Sequence, residues 1–185
     1  MRGATILTTA RLRLRAACED DIAVLQARVF GDAEVMRHAF AGRALAHAEA
    51  AAFIRAHFTF DGAPVGLAVL EDTANGEVIG FAGLNPCDAL GADDLEIGFV
   101  LARAAWGKGF AREIGAAQLA LGFTRLRRPR LLALAAPGNA ASLRVLEQLG
   151  MKPVADVTPP GRAPRRVFCR LASAWIGGDN VTSGI

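Results

Sequence analysis

The sequence predicts an α+β fold, in which a mixed β-sheet carries helices on both faces in an α/β/α arrangement. Strand-like and helix-like segments alternate along most of the 185 residues, without a repeat, linker or low-complexity tract. The pair Asn75-Gly76 lies between two apolar segments and is a strong signal for a hairpin of antiparallel strands. We expect one domain over residues 1–176 and a loose tail at 177–185, where no periodic pattern occurs.

In the first half of the chain, the period of the apolar residues separates two helices from three strands. Leucine alternates with arginine near the start, as in a strand with one buried face. An aspartate can cap the first helix, and the second helix is rich in alanine. The predicted elements are a strand at 11–15, a helix from Asp20 or Asp21 to about residue 30, a helix at 46–60, and hairpin strands at 65–70 and 78–84.

The second half is predicted to begin with a strand, a glycine turn and a central helix. The strand is largely apolar, and Phe110, Ile114 and Leu121 recur at helical spacing after the turn. Pro137 has no amide proton to donate, so the strand before it must stop pairing there. The predicted elements are the strand 95–101, the central helix to about 126, a strand at 131–135, a helix at 139–149, and strands near 154–157 and 167–171.

The composition argues against several classes of protein. Hydrophobic residues make up 52% of the chain, which is ample for a core, but no segment has the roughly 18 uninterrupted apolar residues of a membrane span. The N-terminal apolar stretch is too short for a signal peptide, so we expect a cytoplasmic protein without a membrane partner. The three scattered cysteines are expected to be reduced thiols, although a catalytic cysteine stays open, and the histidine spacing predicts no metal site.

The net charge is +3, and arginines fall in two clusters. The clusters are Arg125, Arg127, Arg128 and Arg130, and then Arg162, Arg165 and Arg166. Both clusters can be ordinary solvated surface, or one of them can meet a ligand phosphate or an acidic partner. Aromatic residues do not alternate with these arginines, so we expect no direct nucleic-acid recognition.

The turn before the central helix has the properties of an anion site. Gly107 and Gly109 allow close approach to the backbone, and the first amides of the helix have no intrahelical acceptors. The helix dipole adds positive potential, so phosphate or pyrophosphate is the expected ligand. The segment lacks the hydroxyl residue of a P-loop, and Arg112 replaces the last glycine of a dinucleotide fingerprint.

The sequence Trp-Gly-Lys-Gly-Phe-Ala at 106–111, after the strand at 96–101, resembles the acetyl-CoA motif of the GNAT N-acetyltransferase superfamily. Its form is typical of the branch that resembles ribosomal-protein N-terminal acetyltransferases. Residues 7–15 and 19–22 are similar to the opening strand and first helix of that branch. Residues 139–151 are similar to its second signature, NxxSxxxxExxGF, with methionine where an aromatic residue is usual. The resemblance covers most of the chain.

This resemblance implies a mostly antiparallel, twisted sheet whose two parallel central strands, 95–101 and 131–135, splay apart. It implies an acetyl-CoA-dependent N-acetyltransferase, without a metal, that moves the acetyl group directly to a primary amine in a ternary complex. The acceptor would be a protein N-terminal amine or a small-molecule amine. A homodimer is compatible with the sequence, which does not identify its surface.

The resemblance also implies that backbone groups bind most of acetyl-CoA. The main-chain groups of 99–101 would pair with the pantetheine amides, the turn and the start of the central helix would bind the pyrophosphate, and an asparagine would bind the pantetheine arm. The implied residues are Phe99, Val100, Leu101, Gly107, Lys108, Gly109, Phe110, Ala111, Arg112 and Asn139.

Glu96 is the candidate general base, since the family often has an acid at this place. Along a strand, Glu96 points to the face opposite its neighbour Ile97, and a carboxylate there can accept a proton from the amine. The alternative is a surface glutamate paired with an arginine. Asp93 and Asp94 are further candidates, although both are also typical of loops and caps.

Three other residues have both a functional and a structural interpretation. Ser142 can donate to the leaving sulfur or be an ordinary helix-surface serine, Asn139 can bind pantetheine or cap its helix, and Lys108 can face a phosphate or solvent. The chain has no tyrosine, the general acid of many superfamily members, so Ser142, water or direct thiolate release must replace it. The alternative function is a non-catalytic acyl-CoA-binding or interaction domain of the same fold.

Overall fold

The computed structural model describes residues 3–40, 42–158 and 163–175, so the predicted tail at 177–185 lies outside the described residues. Every predicted strand and helix is present to within three residues at each end, when the π-helical turns Gln26–Phe30 and Leu121–Arg125, which continue the first and the central helix, are counted with them. The elements are β1 Thr5–Thr8, β2 Leu12–Arg15, α1 Asp21–Leu25, α2 Ala33–Met36, α3 His47–His57, β3 Gly66–Asp72, β4 Glu77–Cys87, β5 Asp94–Leu101, α4 Phe110–Ala120, β6 Arg130–Ala135, α5 Ala140–Gln148, β7 Lys152–Val157 and β8 Arg165–Leu171.

The strands form one mixed sheet in the order β1-β2-β3-β4-β5-β6-β8-β7. The pair β5 and β6 is parallel, and the other neighbouring strands are antiparallel. The Asn75-Gly76 turn joins β3 to β4, and Gly76 has a φ of +71°, which glycine adopts without strain. These observations confirm the predicted α+β fold and its hairpin.

Helices pack on both faces of the sheet and form two apolar clusters. The helices α4 and α5 bury residues such as Ile114 and Leu146 against one face. The helices α1, α2 and α3 bury residues such as Leu25, Met36 and Ile54 against the other. Within the described ranges, no helix has both the length and the apolar character that crossing a bilayer requires.

Two short elements were not predicted, and one helix boundary was misplaced. The strand β1 and the helix α2 have four residues each, and neither has the alternation of apolar and charged residues that identified the equally short β2. The helix α3 ends at His57, whereas the prediction continued to residue 60. Phe58 is extended (φ −92°, ψ 147°) and forms a bridge with Leu67 of β3, so pairing with the sheet ends the helix.

Asp20 or Asp21, at the start of α1, was predicted to cap this helix, but neither does so. Asp20 makes no side-chain capping hydrogen bond. The Asp21 carboxylate is buried and accepts two hydrogen bonds of 2.7 Å from Arg15, which also donates to Glu71 at 2.6 Å. Burial alone would raise the pKa of both carboxylates. Hydrogen bonds from Arg15 and Cys18 outweigh burial at Asp21 and lower its pKa. Hydrogen bonds from Arg15 and Arg13 do the same at Glu71. This network joins β2, α1 and β3.

We expect Arg15→Met to lower the free energy of unfolding at pH 7 by about 3–5 kcal/mol, because it leaves the buried Asp21 carboxylate without its arginine and removes one of the two arginines that bind Glu71. In the wild type, the stabilisation from Asp21 and Glu71 is fully present above their ordinary pKa values. It is lost as the pH falls through their lowered native values, since the unfolded chain binds these protons first. Urea unfolding at pH 7 and at steps down to about pH 3 measures both effects.

The matched control for this prediction is Arg28→Met. Arg28 also forms an ion pair, with Glu77, but both side chains are largely exposed, so its loss should cost less than about 1 kcal/mol. Equal unfolding midpoints for Arg15→Met and the wild type would contradict the assigned role of the network.

Candidate active site

The site begins where β5 and β6 separate. Among the described residues, these strands pair at one position, Glu96 with Leu132. Two residues further along β5, the Gly98 N–H donates to the side-chain oxygen of Gln118 on α4 at 3.2 Å. Gln118 is fully buried, so it occupies the place where a strand partner would otherwise accept this hydrogen bond. The two parallel strands therefore splay apart as predicted, and they leave a cleft between them.

A cavity of about 1000 Å³ follows this cleft. Its walls come from β5, the glycine turn, the start of α4, the loop from β6 to α5, α5 itself and the segment around the end of α2. The predicted site residues on these walls are Glu96, Phe99, Val100, Leu101, Gly107, Gly109, Phe110, Ala111, Arg112, Asn139 and Ser142. Lys108 is exposed and is not among the described residues of the wall.

The turn at the start of α4 requires glycine at two positions. Gly107 and Gly109 have φ values of +74° and +80°, in the left-handed region that L side chains adopt only with strain. An added Cβ at Gly107 would have no neighbour within 4 Å, so the backbone there is open to a ligand. Gly109 is the N-cap of α4, and the first amides of this helix adjoin the cavity through Phe110, Ala111 and Arg112.

Arg11, in the turn between β1 and β2, binds both the glycine turn and the first turn of α4. It donates to the Lys108 carbonyl at 3.0 Å and to Glu113 on α4 at 2.7 Å. Its guanidinium lies over the Phe110 ring, 4.7 Å from the centroid. Thr9 adds a hydrogen bond of 2.5 Å to Glu113. The N-terminal hairpin thus positions both the turn and the first turn of α4.

Trp106 links the glycine turn to the end of β5. Its indole N–H donates to the Leu101 carbonyl at 2.8 Å, while 45% of the residue surface remains exposed on the cavity wall. The Leu101 carbonyl was one of the main-chain groups predicted to pair with a ligand. It already accepts a hydrogen bond from the Trp106 side chain.

Glu96 lies half-buried on the face of the sheet that α1, α2 and α3 cover. Its neighbour Ile97 points to the opposite face and packs in the cluster with α4, as the strand alternation predicted. Asp94 is buried and bound to Arg130 at 2.8 Å, and Asp93 is exposed near Arg128. Both aspartates are away from the cavity wall, so among these three carboxylates Glu96 is the one placed for chemistry in the cavity.

Asn139 and Ser142 lie together at the start of α5. The Asn139 side chain accepts a hydrogen bond of 3.2 Å from the Ser142 N–H, so Asn139 is the N-cap of this helix. Both residues also line the cavity. The capping interpretation of Asn139 is confirmed, and the cap uses the side-chain oxygen and not the side-chain nitrogen.

A family model described as the acetyltransferase (GNAT) domain matches residues 11–152, which is most of the chain. The chain belongs to the GNAT acetyltransferase family. It is 34% identical to the uncharacterized protein YkkB of Bacillus subtilis (strain 168) over 151 residues, which cover 82% of this chain and 87% of that protein. The predicted superfamily is thereby confirmed.

Solved structures of GNAT proteins share the fold. The acetyltransferase (GNAT family) from Bacillus anthracis superposes with a TM-score of 0.77 at 22% identity, covering 90% of this chain and 98% of that one. Spermidine N-acetyltransferase from Vibrio cholerae, solved in complex with CoA and spermine, superposes with a TM-score of 0.70 at 20% identity, with the same coverage. At these identities the likeness concerns the fold.

The two arginine clusters of this GNAT protein lie differently relative to the cavity. None of the four arginines at 125–130 is among the described residues of the cavity wall, and Arg128 and Arg130 face Asp93 and Asp94. Of the second cluster, Arg166 binds Asp156 and Arg165 reaches the wall, while Arg162 lies outside the described residues. The clustering of arginines along the sequence therefore did not predict which arginines line the cavity.

Several residues on or behind the wall were missed by sequence reasoning. Arg144 on α5 is exposed and lines the cavity, as Arg112 on α4 does. One feature of the sequence could have pointed to Gln118, because it is a polar residue on the apolar face of the central helix. Arg11 and Glu113 had none, because 102 positions separate them in the chain.

We expect Arg11→Ala to weaken acetyl-CoA binding by roughly tenfold, about 1.4 kcal/mol, because the glycine turn loses its hydrogen bond and its cation–π contact. Calorimetric titration of acetyl-CoA measures the change, and Arg28→Ala, outside the cavity, is the control. If both variants bind acetyl-CoA as tightly as the wild type, Arg11 does not position this turn.

Proposed function

We propose that this GNAT protein is an acetyl-CoA-dependent N-acetyltransferase that moves the acetyl group directly to a primary amine in a ternary complex. The observation that carries the proposal is the position of Glu96. It stands at the last paired position before β5 and β6 separate, and it lines the same cavity as the glycine turn. A general base for the amine and a binding site for the thioester would therefore share one cleft.

The cavity walls fit acetyl-CoA along their length. The turn at Gly107 and Gly109 and the free amides of α4 suit a pyrophosphate, and Arg112 and Arg144 add positive charge from two helices. The cleft between β5 and β6 suits the extended pantetheine arm, which would pair with main-chain groups of Phe99 and Val100 as an added strand does. Asn139, at the start of α5, would donate its side-chain amide to that arm.

Bound acetyl-CoA supplies a thioester, whose carbonyl carbon accepts the amine nitrogen. Glu96 takes a proton from the acceptor ammonium, directly or through one water. The nitrogen forms the new C–N bond as the C–S bond breaks, and it then releases its second proton to water, which leaves a neutral amide. The leaving group is a thiolate. The ordinary pKa is about 8 for an α-amine and about 10.4 for a lysine-type amine, so near neutral pH an α-amine needs less help from Glu96.

The proton for the thiolate must come from a group other than tyrosine, which the chain lacks. Ser142, one turn into α5 and on the cavity wall, would donate a hydrogen bond to the leaving sulfur, and water would then protonate it. Ser142 thus stabilises developing negative charge, a role that needs no shifted pKa.

The proposal is tested by measuring free thiol release from acetyl-CoA with a panel of amines, and by identifying acetylated products by mass spectrometry. The panel contains N-terminal peptides, amino acids, polyamines and aminoglycosides. Thiol release that depends on an amine, with a product heavier by one acetyl group, supports the proposal. Tight acetyl-CoA binding without turnover on any amine would instead favour the non-catalytic acyl-CoA-binding alternative.

A further inference from the structure

His38 lies on the cavity wall, just after α2, and is half-buried. A Cβ added at Gly138, in the loop from β6 to α5, would lie 3.8 Å from His38 Cε1, so the edge of the imidazole ring approaches this loop. The loop leads to Asn139, the N-cap of α5, and then to Ser142 in the first turn of that helix. His38 therefore brings an imidazole beside the segment that carries Ser142, where the leaving sulfur is proposed to lie.

The ring nitrogens of His38 have no partner in the part of the chain that the structure describes. Within residues 3–40, 42–158 and 163–175, no hydrogen bond or ion pair to the imidazole occurs. The two nitrogens of an imidazole are the neighbours of Cε1, so they flank the edge that approaches Gly138. A half-exposed ring of this kind can bind a ligand in the cavity and exchange its proton with solvent.

Few other groups on the described wall can supply a proton near neutral pH. The described wall has no tyrosine, cysteine or lysine. Its arginines do not give up their protons, and its carboxylates are Glu34, in an ion pair of 3.1 Å with Arg37, and Glu96, the proposed base. The Ser142 hydroxyl donates a hydrogen bond but is too weak an acid to lose its proton. Histidine is the side chain that ordinarily binds and releases a proton close to neutrality, and His38 is the histidine of this wall.

We infer that His38 is the general acid that protonates the leaving thiolate, in place of the tyrosine that the chain lacks. This inference rests on the proposed acetyl transfer. As the C–S bond breaks, its electron pair moves to sulfur, and the imidazolium N–H gives its proton to that sulfur, directly or through one water. The products are the neutral CoA thiol and a neutral imidazole, which takes up a proton from water before the next turnover. The hydrogen bond from Ser142 stabilises the sulfur until the proton arrives.

The first test replaces His38 with glutamine, which also donates hydrogen bonds but has no proton to release. We expect kcat for an accepted amine, measured by thiol release, to fall roughly 10- to 100-fold, because water alone then supplies the proton. The calorimetric affinity for acetyl-CoA should stay unchanged. His47→Gln is the matched control, because His47 is exposed at the start of α3 and lies outside the cavity wall. Wild-type kcat in folded His38→Gln would overturn the inference.

Chemical rescue of His38→Ala distinguishes proton donation from a role in packing. Added imidazole can occupy the space left by the side chain and give a proton, so we expect it to raise kcat of this variant at least severalfold. Pyrazole has the same five-membered ring but is not protonated near neutral pH, so it should not raise kcat. The same additions to the wild type, and to reactions without enzyme, measure the background. Equal restoration by the two rings, or none by imidazole, would overturn the inference.

The outcomes separate this inference from the function on which it rests. Acetylation of an amine by the wild type, with His38→Gln and His38→Ala equally fast, would overturn the role of His38 and leave the proposed acetyl transfer intact. If the wild type binds acetyl-CoA and acetylates no amine, the proposed function fails, and the inference fails with it.

Discussion

Glu96→Gln will lower kcat for acetyl transfer by roughly 10²- to 10⁴-fold, the usual contribution of a positioned general base. Glutamine has the same shape and keeps hydrogen-bonding capacity, but it does not accept the ammonium proton at neutral pH. The affinity for acetyl-CoA should stay unchanged, because Glu96 is not part of the glycine turn or of the start of α4, where the pyrophosphate is proposed to bind. The deficit should shrink as the pH rises, since a growing fraction of the amine is then already deprotonated.

The matched control for this prediction is Asp93→Asn. It makes the same carboxylate-to-amide change on a side chain that is 92% exposed and outside the cavity wall, three positions before Glu96. The measurement is the initial rate of thiol release across pH 6 to 10 for both variants and the wild type. Equal rates for Glu96→Gln and the wild type over that whole range would reject Glu96 as the base.

Gly109→Asp will weaken acetyl-CoA binding by roughly 10- to 100-fold. The backbone at position 109 is left-handed, with φ +80°, and a carboxylate there adds negative charge at the N-terminus of α4, where a pyrophosphate would bind. The new side chain would also start 3.5 Å from Arg11 Nη2, so it would draw away the arginine that positions the turn.

Gly91→Asp is the control variant, and it separates the effect of a negative charge at the glycine turn from the effect of backbone strain. Gly91 has φ +71°, and an added Cβ there would have no neighbour within 4 Å, so the local cost resembles that at position 109. It lies in the turn before β5 and not on the cavity wall. Calorimetry on both variants, after circular dichroism shows them folded, measures the difference. Normal acetyl-CoA affinity in folded Gly109→Asp would show that the pyrophosphate does not bind at this turn.

Much of the fold was predictable because its signals are local. The Asn75-Gly76 hairpin, the glycine turn and the central helix are each specified by residues within a few positions of one another. The N-cap role of Asn139 follows from the same kind of signal. The four-residue elements β1 and α2 lack the leucine–arginine alternation that identified β2, and they were missed.

The parts of the site that sequence reasoning missed depend on contacts between distant segments. Arg11, in the turn between β1 and β2, meets Glu113 on α4, and Gln118 accepts from Gly98 only because α4 packs against β5 where the strands separate. Asp21, predicted as a cap, instead binds Arg15 inside the protein, since tertiary ion pairs outcompete a local hydrogen bond once both groups are buried. A pattern along the chain carries no information on such pairings.

The measurement that tests the central claim most directly is calorimetric titration of acetyl-CoA into the wild-type protein at pH 7.5. The central claim is that the cleft between β5 and β6, with the glycine turn at Gly107 and Gly109, binds acetyl-CoA. We expect one binding site per chain, with affinity that falls as salt is raised because phosphate charges contribute. The absence of detectable binding by the folded protein would contradict the claim, and with it the proposed acetyl transfer.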